Sequence, residues 1–393
     1  MTYDEQMISR CLELARQGAG KVSPNPLVGA VVVKNGKIIG EGYHMKYGEA
    51  HAEVNAINNC TESPEGATIY VNLEPCSHYG KTPPCCELII KNKLKRVVVG
   101  TLDSNKLVTG KGIQKIKDAG IEVEVGILED ECYKLNEAFF KYIVTKKPFV
   151  ILKSGMSLDG KIATKTGDSK YITGAQSLES VHKLRNDVSA LLTGIGTILE
   201  DNPQLNCRIE GGIDPIIAIV DSKLRIPLDS NVLERDKIII FTTNSCDKEK
   251  LEILNSKKNI AVIINDNEEN YEEKTRISST LQQKSEIINS TELNVEASMK
   301  GSEVNLHEVL RILGENNISS VLVEAGPTLS SQMLRQNLVD KVIYYVAPKI
   351  LGGDKTVVGD IGVCILDEAI KLNKLTAYSM GDDIVIEGYI KKN

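Results

Sequence analysis

The stretch EAHAEVNAINNC (Glu49–Cys60) and the stretch EPCSHYGKTPPCC (Glu74–Cys86) set His51 and Glu53 close in sequence to Cys76, Cys85 and Cys86, in a chain with only five histidines. Ala52, Val54, Ala56 and Ile57 give the first stretch a helical pattern. Before it come an amphipathic helix over residues 4 to 19, with Met7, Ile8, Cys11, Leu12 and Ala15 on one stripe, and the turn SPNP. The apolar run LVGAVVV, a KNG turn at Lys34–Gly36 and the strand KIIGEGY follow. After it come the strand ATIYVNLEP, a Gly/Pro-rich loop, a helix near Pro84–Lys93, the strand RVVVG (Arg96–Gly100), a helix over Gly112–Ala119 and a strand over Ile121–Val125. That alternation predicts an α/β domain.

The pattern changes where VTKKP ends a helix and FVILKSGMS begins a strand, so the boundary falls near Lys147: a first domain over residues 1–146 and a second over 147–393. Two domains also suit 393 residues, because single cores stop growing near roughly 250 to 300. The second half again alternates, with strands ALLTG, PIIAIVD, KIIIFTT, SVLVEAG, KVIYYVAP and IVIEGYI; the last two suggest antiparallel edges. Residues 245–304 turn rich in Asn, Lys, Glu and Ser, with one weak apolar run, IAVIIND, and are expected to be peripheral to the second core.

Hydrophobic residues at 41% and charged residues at 25% are ordinary globular values. A net charge of −6 disfavours nucleic acid, whose phosphates need clustered Lys and Arg, but leaves small phosphorylated ligands open. No run approaches a membrane span, and MTYDEQMISRCLELARQ fits neither a secretory nor a transit segment. Nine scattered cysteines look unlike a disulfide framework, so a reducing cytoplasm is expected.

A histidine and cysteines can be core residues, and context decides between packing and metal. Thiolates at helix starts make good zinc ligands, and three protein ligands leave a fourth position for water, the catalytic pattern. The zinc-deaminase signature is H-x-E…P-C-x-x-C, in which the acid shuttles protons and is not a ligand. Here residues 77–84 stand between Cys76 and Cys85 where the signature has two. HAE, EPCSHYGKTPPC and the upstream SPNPLVGAVVV resemble the pyrimidine deaminases of riboflavin biosynthesis. The resemblance implies a cytidine-deaminase-like αβα domain with a mixed sheet, zinc ligands His51, Cys76 and Cys85, and Glu53 as the proton carrier. It also implies Asn25 as a substrate contact; His78 and Lys81 are candidates for the substrate phosphate, and Cys86 is read as packing.

In the second half, LKSGMSLDGKIA, GDSKYITG, LRNDVSALLTGIGTILEDNPQLNCR and VEAGPTL keep the order and spacing of the reductase domain fused to these deaminases, which is similar in fold to dihydrofolate reductase. The resemblance implies a bifunctional enzyme: hydrolytic deamination of 2,5-diamino-6-(5-phosphoribosylamino)pyrimidin-4(3H)-one, then NADPH-dependent reduction of the ribosyl group to ribityl. It implies substrate contacts at Lys153, Ser169, Arg185, Leu205, Arg208 and Glu324. Dinucleotide contacts are implied at Gly155, Tyr171, Thr197, Asp201, Ser222, Gly326, Pro327, Thr328, Leu329 and Ser330. Arg185 and Arg208 carry forks suited to a phosphate, and the turn EAGPTLSS puts small residues at a helix start that can hold a pyrophosphate. Asp201 has an alternative role, capping the NPQL turn. Enzymes of this kind are dimers or tetramers, so a homo-oligomer is expected.

Two rivals remain at this point: a nucleoside or tRNA-editing deaminase with an unrelated appendage, and a zinc-stapled nucleotide sensor. The negative charge, the long loop between the cysteines and the reductase motifs oppose the first; Glu53 separates the second from an enzyme.

Overall fold

Thr2 closes the first helix start from both directions. Its Oγ1 accepts from the Glu5 N–H and its own N–H donates to the Glu5 carboxylate, which starts α1 at Tyr3 and carries it to Arg16. Ile8, Cys11, Leu12, Leu14 and Ala15 form its buried stripe. The computed structural model describes residues 1–77, 79, 83–104, 109–265 and 303–391. The chain divides into two units, Met1–Lys146 and Lys147–Asn393.

In the first unit the hairpin β1 (Gly29–Lys34) and β2 (Lys37–Tyr43) leads to α2 (Ala52–Asn58), β3 (Thr68–Leu73), α3 (Cys85–Lys91), β4 (Arg96–Thr101), α4 (Lys111–Asp118) and β5 (Glu122–Val125); α5 (Glu129–Leu135) and α6 (Glu137–Thr145) close it. The sheet runs β2-β1-β3-β4-β5. β1 is antiparallel to β2 and β3, while β3, β4 and β5 are parallel. Strand residues alternate between faces. Val32, Ile69, Val71, Val97 and Val99 pack against Ala52, Ala56, Ile89 and Ile116, while Val31, Val33, Tyr70 and Val98 meet Ile8, Cys11 and Leu12. Both faces are covered, which is why these strands read as unbroken apolar runs. Cys86 is fully buried in the first of these clusters.

The second unit opens with β6 (Phe149–Ser157), α7 (Ala175–Asp187), β7 (Ala190–Gly194), α8 (Ile195–Asp201), β8 (Ile216–Val220) and β9 (Ile238–Thr242). It continues through α9 (Lys248–Ser256), β10 (Ile260–Ile264), α10 (Leu306–Glu315), β11 (Ser320–Val323), α11 (Pro327–Arg335), β12 (Lys341–Ala347), β13 (Leu372–Met380) and β14 (Asp383–Ile390). The sheet order is β10-β9-β8-β7-β11-β6-β12-β14-β13. The chain steps outward from β7 to β10 and returns to place β11 between β7 and β6, so the order reverses there. In such sheets ligands bind beyond the carboxyl ends of the strands at the reversal.

Two expectations are corrected. The polar segment is not wholly peripheral: Asp247 caps α9 by accepting from the Lys250 N–H, Leu254 is fully buried, and β10 pairs parallel with β9 as the outer strand. Residues 266–302 lie outside the described residues. KVIYYVAP and IVIEGYI are no edges either: β12 pairs parallel with β6 and antiparallel with β14, β14 lies between β12 and β13 and is antiparallel to both, and the outer strand on that side is β13. Among the described residues, no helix is long and apolar enough to cross a membrane.

Candidate functional site

The carboxyl end of β3 delivers Glu74, Pro75 and Cys76. The buried Glu74 carboxylate accepts from the N–H groups of Gly110 (3.0 Å) and Gly112 (3.2 Å), tying the strand end to the start of α4. His51 is the extended N-cap of α2, and its ring caps nothing. Cys85 is the first residue of α3, behind Pro84 at the cap. The Cys85 N–H donates to Cys76 Sγ at 3.3 Å and the Cys86 N–H to Cys76 O at 3.2 Å, fastening both ends of the intervening loop together. His78 and Lys81, in that loop, lie outside the described residues.

His51 Nδ1 stands 3.6 Å from Cys76 Sγ and 3.4 Å from Cys85 Sγ, and the three donor atoms lie within 4.8 Å of one another. Bonds of about 2.3 Å to sulfur and 2.1 Å to nitrogen give a tetrahedron an edge of about 3.6 Å, so the donor set fits zinc. The Cys85 thiol's hydrogen bond holds Cys76 well below the ordinary thiol range, and His51 adds to this; Cys85 is raised in turn by Cys76 and by burial. Glu53, 3% exposed, has its carboxyl pushed up to about 7 by burial and then by the Cys76 charge, with His51 opposing.

Asn25 reaches this cluster through a residue that sequence reasoning did not single out. Its Nδ2 is 3.1 Å from Nε2 of His44, whose ring stands edge-on to His51 with centroids 5.6 Å apart. His44 is buried, and burial lowers its pKa. The loop is held at Leu27, whose N–H donates to Asn136 Oδ1 and whose carbonyl accepts from Asn72 and Asn136. Nothing local in GYHMKYG marks His44, because its contacts are tertiary.

In the second unit, a cavity of about 940 Å³ opens at the carboxyl ends of β6, β7, β8 and β11. Lys153, Gly155, Ser169, Arg185, Thr197, Asp201, Leu205, Ser222, Glu324, Gly326, Pro327, Thr328 and Leu329 line it. Arg208, Tyr171 and Ser330 do not. The exposed Arg208 donates from Nε to Asn206 Oδ1, Tyr171 is 72% exposed, and the buried Ser330 hydroxyl turns back to the Ala325 carbonyl. Lys223 and Arg225, absent from the sequence reading, line the cavity beside Ser222.

Arg185 does not offer a free fork. Nε and Nη2 donate to the Glu324 carboxylate at 2.7 and 3.0 Å, and Nη1 donates to the Asn206 carbonyl at 2.9 Å. Lys153 Nζ lies 3.4 Å from the same carboxylate. Burial works to raise Glu324, but Lys153 and Arg185 overcome it and hold the carboxyl at about 2. Asp201 accepts from the Ser169 hydroxyl at 3.4 Å, and Asn202, not Asp201, ties its turn to Asn231.

The cavity suits a dinucleotide. Gly326 caps α11 with no side-chain bond; Pro327 at the first helical position has no N–H, and the Thr328 and Leu329 N–H groups that follow receive no side-chain cap. A Cβ added at Gly326 or at Gly196 would meet no atom within 4 Å, so at both places backbone alone faces the space a phosphate would fill.

Residues 148–386 match the family described as RibD C-terminal domain, and residues 1–101 the cytidine and deoxycytidylate deaminase zinc-binding region. The chain is 39% identical to riboflavin biosynthesis protein RibD of Actinobacillus pleuropneumoniae, covering 98% of this chain and 94% of the relative. It is 38% identical to that of Aquifex aeolicus, covering 98% and 97%. A solved Thermotoga maritima structure, described as a diaminohydroxyphosphoribosylaminopyrimidine deaminase/5-amino-6-(5-phosphoribosylamino)uracil reductase, superposes with a TM-score of 0.79 at 36% identity, covering 99% of each chain. A three-donor cluster beside a buried acid in one unit, an open cavity at the strand reversal of the other and full-length likeness to these relatives converge: the chain belongs to the RibD family of riboflavin biosynthesis, whose members join a zinc-binding deaminase to an NADPH-using reductase.

Proposed function

We propose that Met1–Lys146 hydrolyses the amino group from 2,5-diamino-6-(5-phosphoribosylamino)pyrimidin-4(3H)-one, and that Lys147–Asn393 reduces the ribosyl group of the resulting 5-amino-6-(5-phosphoribosylamino)uracil. The observation that carries this reading is the convergence of His51, Cys76 and Cys85 within 4.8 Å, with Glu53 buried alongside. Zinc, when bound, supplies the Lewis acidity that makes water a nucleophile near neutral pH. Glu53 takes one proton from the water and delivers it to the ring nitrogen, then takes the second from the resulting hydroxyl and delivers it to the amino group, which leaves as ammonia, a task suited to a carboxyl raised towards neutrality. Asn25 holds the pyrimidine.

NADPH, when bound, supplies the hydride for the second step. Gly326, Pro327, Thr328 and Leu329, with Thr197 and Asp201, are assigned to its phosphates and sugars, and Lys223 and Arg225 give the Ser222 end the positive charge that suits a 2′-phosphate. Lys153 is assigned to the substrate sugar, with Glu324 fixing its ammonium and Arg185 fixing Glu324.

Glu53→Gln in the full chain tests both halves. Its zinc content is expected to stay unchanged while ammonia release from the diamino substrate falls about 10²–10⁴-fold. The same variant, given the deaminated intermediate, should still oxidise NADPH. Undiminished ammonia release defeats the deaminase assignment, and absent NADPH turnover defeats the reductase one. We also propose a homo-oligomer. The outer strand β13, exposed along nearly its whole length and carrying Leu372 and Leu375, supports self-association. Light scattering that gives a monomer mass at micromolar concentration overturns it.

A further inference from the structure

His44 is 3% exposed, lies against a proposed zinc ligand and is used by no step described above. Its Nδ1 is 3.1 Å from the Ala50 carbonyl oxygen, which can only accept, so Nδ1 carries the hydrogen. In the neutral ring Nε2 is then a lone pair. The Asn25 atom 3.1 Å from it must be a donor, which sets the Asn25 amino group there and leaves Oδ1 on the opposite side of the amide. Among the described residues Oδ1 accepts no hydrogen bond, and it is the one side-chain acceptor that Asn25 can offer a ligand.

The backbone that carries Asn25 is held in place, so the amide's position relative to His44 is fixed. The Asn25 N–H donates to the Val22 carbonyl at 2.8 Å. Two residues on, Leu27 is held at both its N–H and its carbonyl by Asn72 and Asn136. Turning the amide over would bring Oδ1 against the Nε2 lone pair, two acceptors about 3 Å apart, at a cost of the order of an unmade buried hydrogen bond.

Resting on the deaminase reading, we infer that His44 is a positioning residue: the relay from Ala50 O through the imidazole to Asn25 Nδ2 locks the amide so that Asn25 Oδ1 faces the pyrimidine as an acceptor. The site then selects rings that present an N–H at that edge, as a pyrimidin-4(3H)-one does, and disfavours rings that present a lone pair. A site built to accept a hydrogen bond rejects an analogue lacking the donor because its own acceptor is left unpaired.

The test is a double-mutant cycle in the full-length, zinc-loaded protein with His44→Phe, which keeps the edge-on ring and removes both ring nitrogens, Asn25→Ala, and the pair. Dissociation constants for the deaminated uracil are measured by calorimetry, beside kcat and KM for ammonia release. Each single change is expected to weaken binding and raise KM about tenfold, and the double change should match Asn25→Ala alone, because contacts acting through one another are not additive. Multiplication of the two effects overturns the inference, as does loss of zinc from His44→Phe, which would make His44 a support for the metal. Nitrogen-15 NMR of the unmutated protein is the second measurement. A His44 ring protonated at Nδ1 supports the lock, and one protonated at Nε2 overturns it. Failure of Glu53→Gln to stop ammonia release would sink the deaminase reading and leave the tautomer result standing, so the two failures are distinguishable.

Discussion

Glu324 meets two cations in a place that water scarcely reaches. Its side chain is 11% exposed, and Lys153 and Arg185 are 15% and 13% exposed. Its folded pKa of about 2 lies below the ordinary carboxylate value of about 4.3, so the stabilisation it brings is fully present above pH about 4.3 and is lost as pH falls from there through about 2. Glu324→Gln removes the negative partner and leaves two buried cations, which should lower stability by about 3 kcal/mol or more at pH 7. Calorimetric scans should show the gap between the two proteins shrinking between pH 4.5 and about 2, where the native carboxyl itself protonates. A gap that stays constant across that window contradicts the assignment. The sequence showed Arg185 and Glu324 as separate substrate contacts; that they spend their charges on each other follows only from their meeting between α7 and the end of β11.

Helix starts in this protein fall into kinds. α1, α9 and α10 are capped by a residue of their own, Thr2, Asp247 and Asn305, as their sequences suggest. α4 begins at Gly110, which has no side chain, and borrows Glu74 from the end of β3. Glu74→Ala should cost the first unit about 1–3 kcal/mol by leaving buried N–H groups unpaired, while Glu74→Gln keeps an acceptor and should cost less. Chemical denaturation of the two variants measures this, and equal losses would show that the α4 start does not depend on that acceptor. Such borrowed caps were not legible in the sequence, and neither was β13. The first needs a partner 38 residues away, and the second buries no side chain, so LNKLTAYSM carries no alternation to read. Strands buried on both faces, such as β1, β4, β7 and β9, were legible for the opposite reason.

At the scale of the chain, each unit places its chemistry where parallel strands end and helices begin: Cys76 after β3, and Lys153, Gly194, Ser222 and Glu324 around the reversal in the larger sheet. His51, Glu53, Cys76 and Cys85 were legible as a group because they sit in motifs with fixed neighbours, whereas His44, Lys223 and Arg225 sit in stretches with no pattern of their own. Cys85 keeps its place because α3 starts there and because two N–H groups fasten it to Cys76, whatever lies between the two cysteines. The spacing of the two thiols is therefore set by backbone on both sides, with Pro84 at the helix cap, so the pair is preorganised and metal entry has no chain to order there.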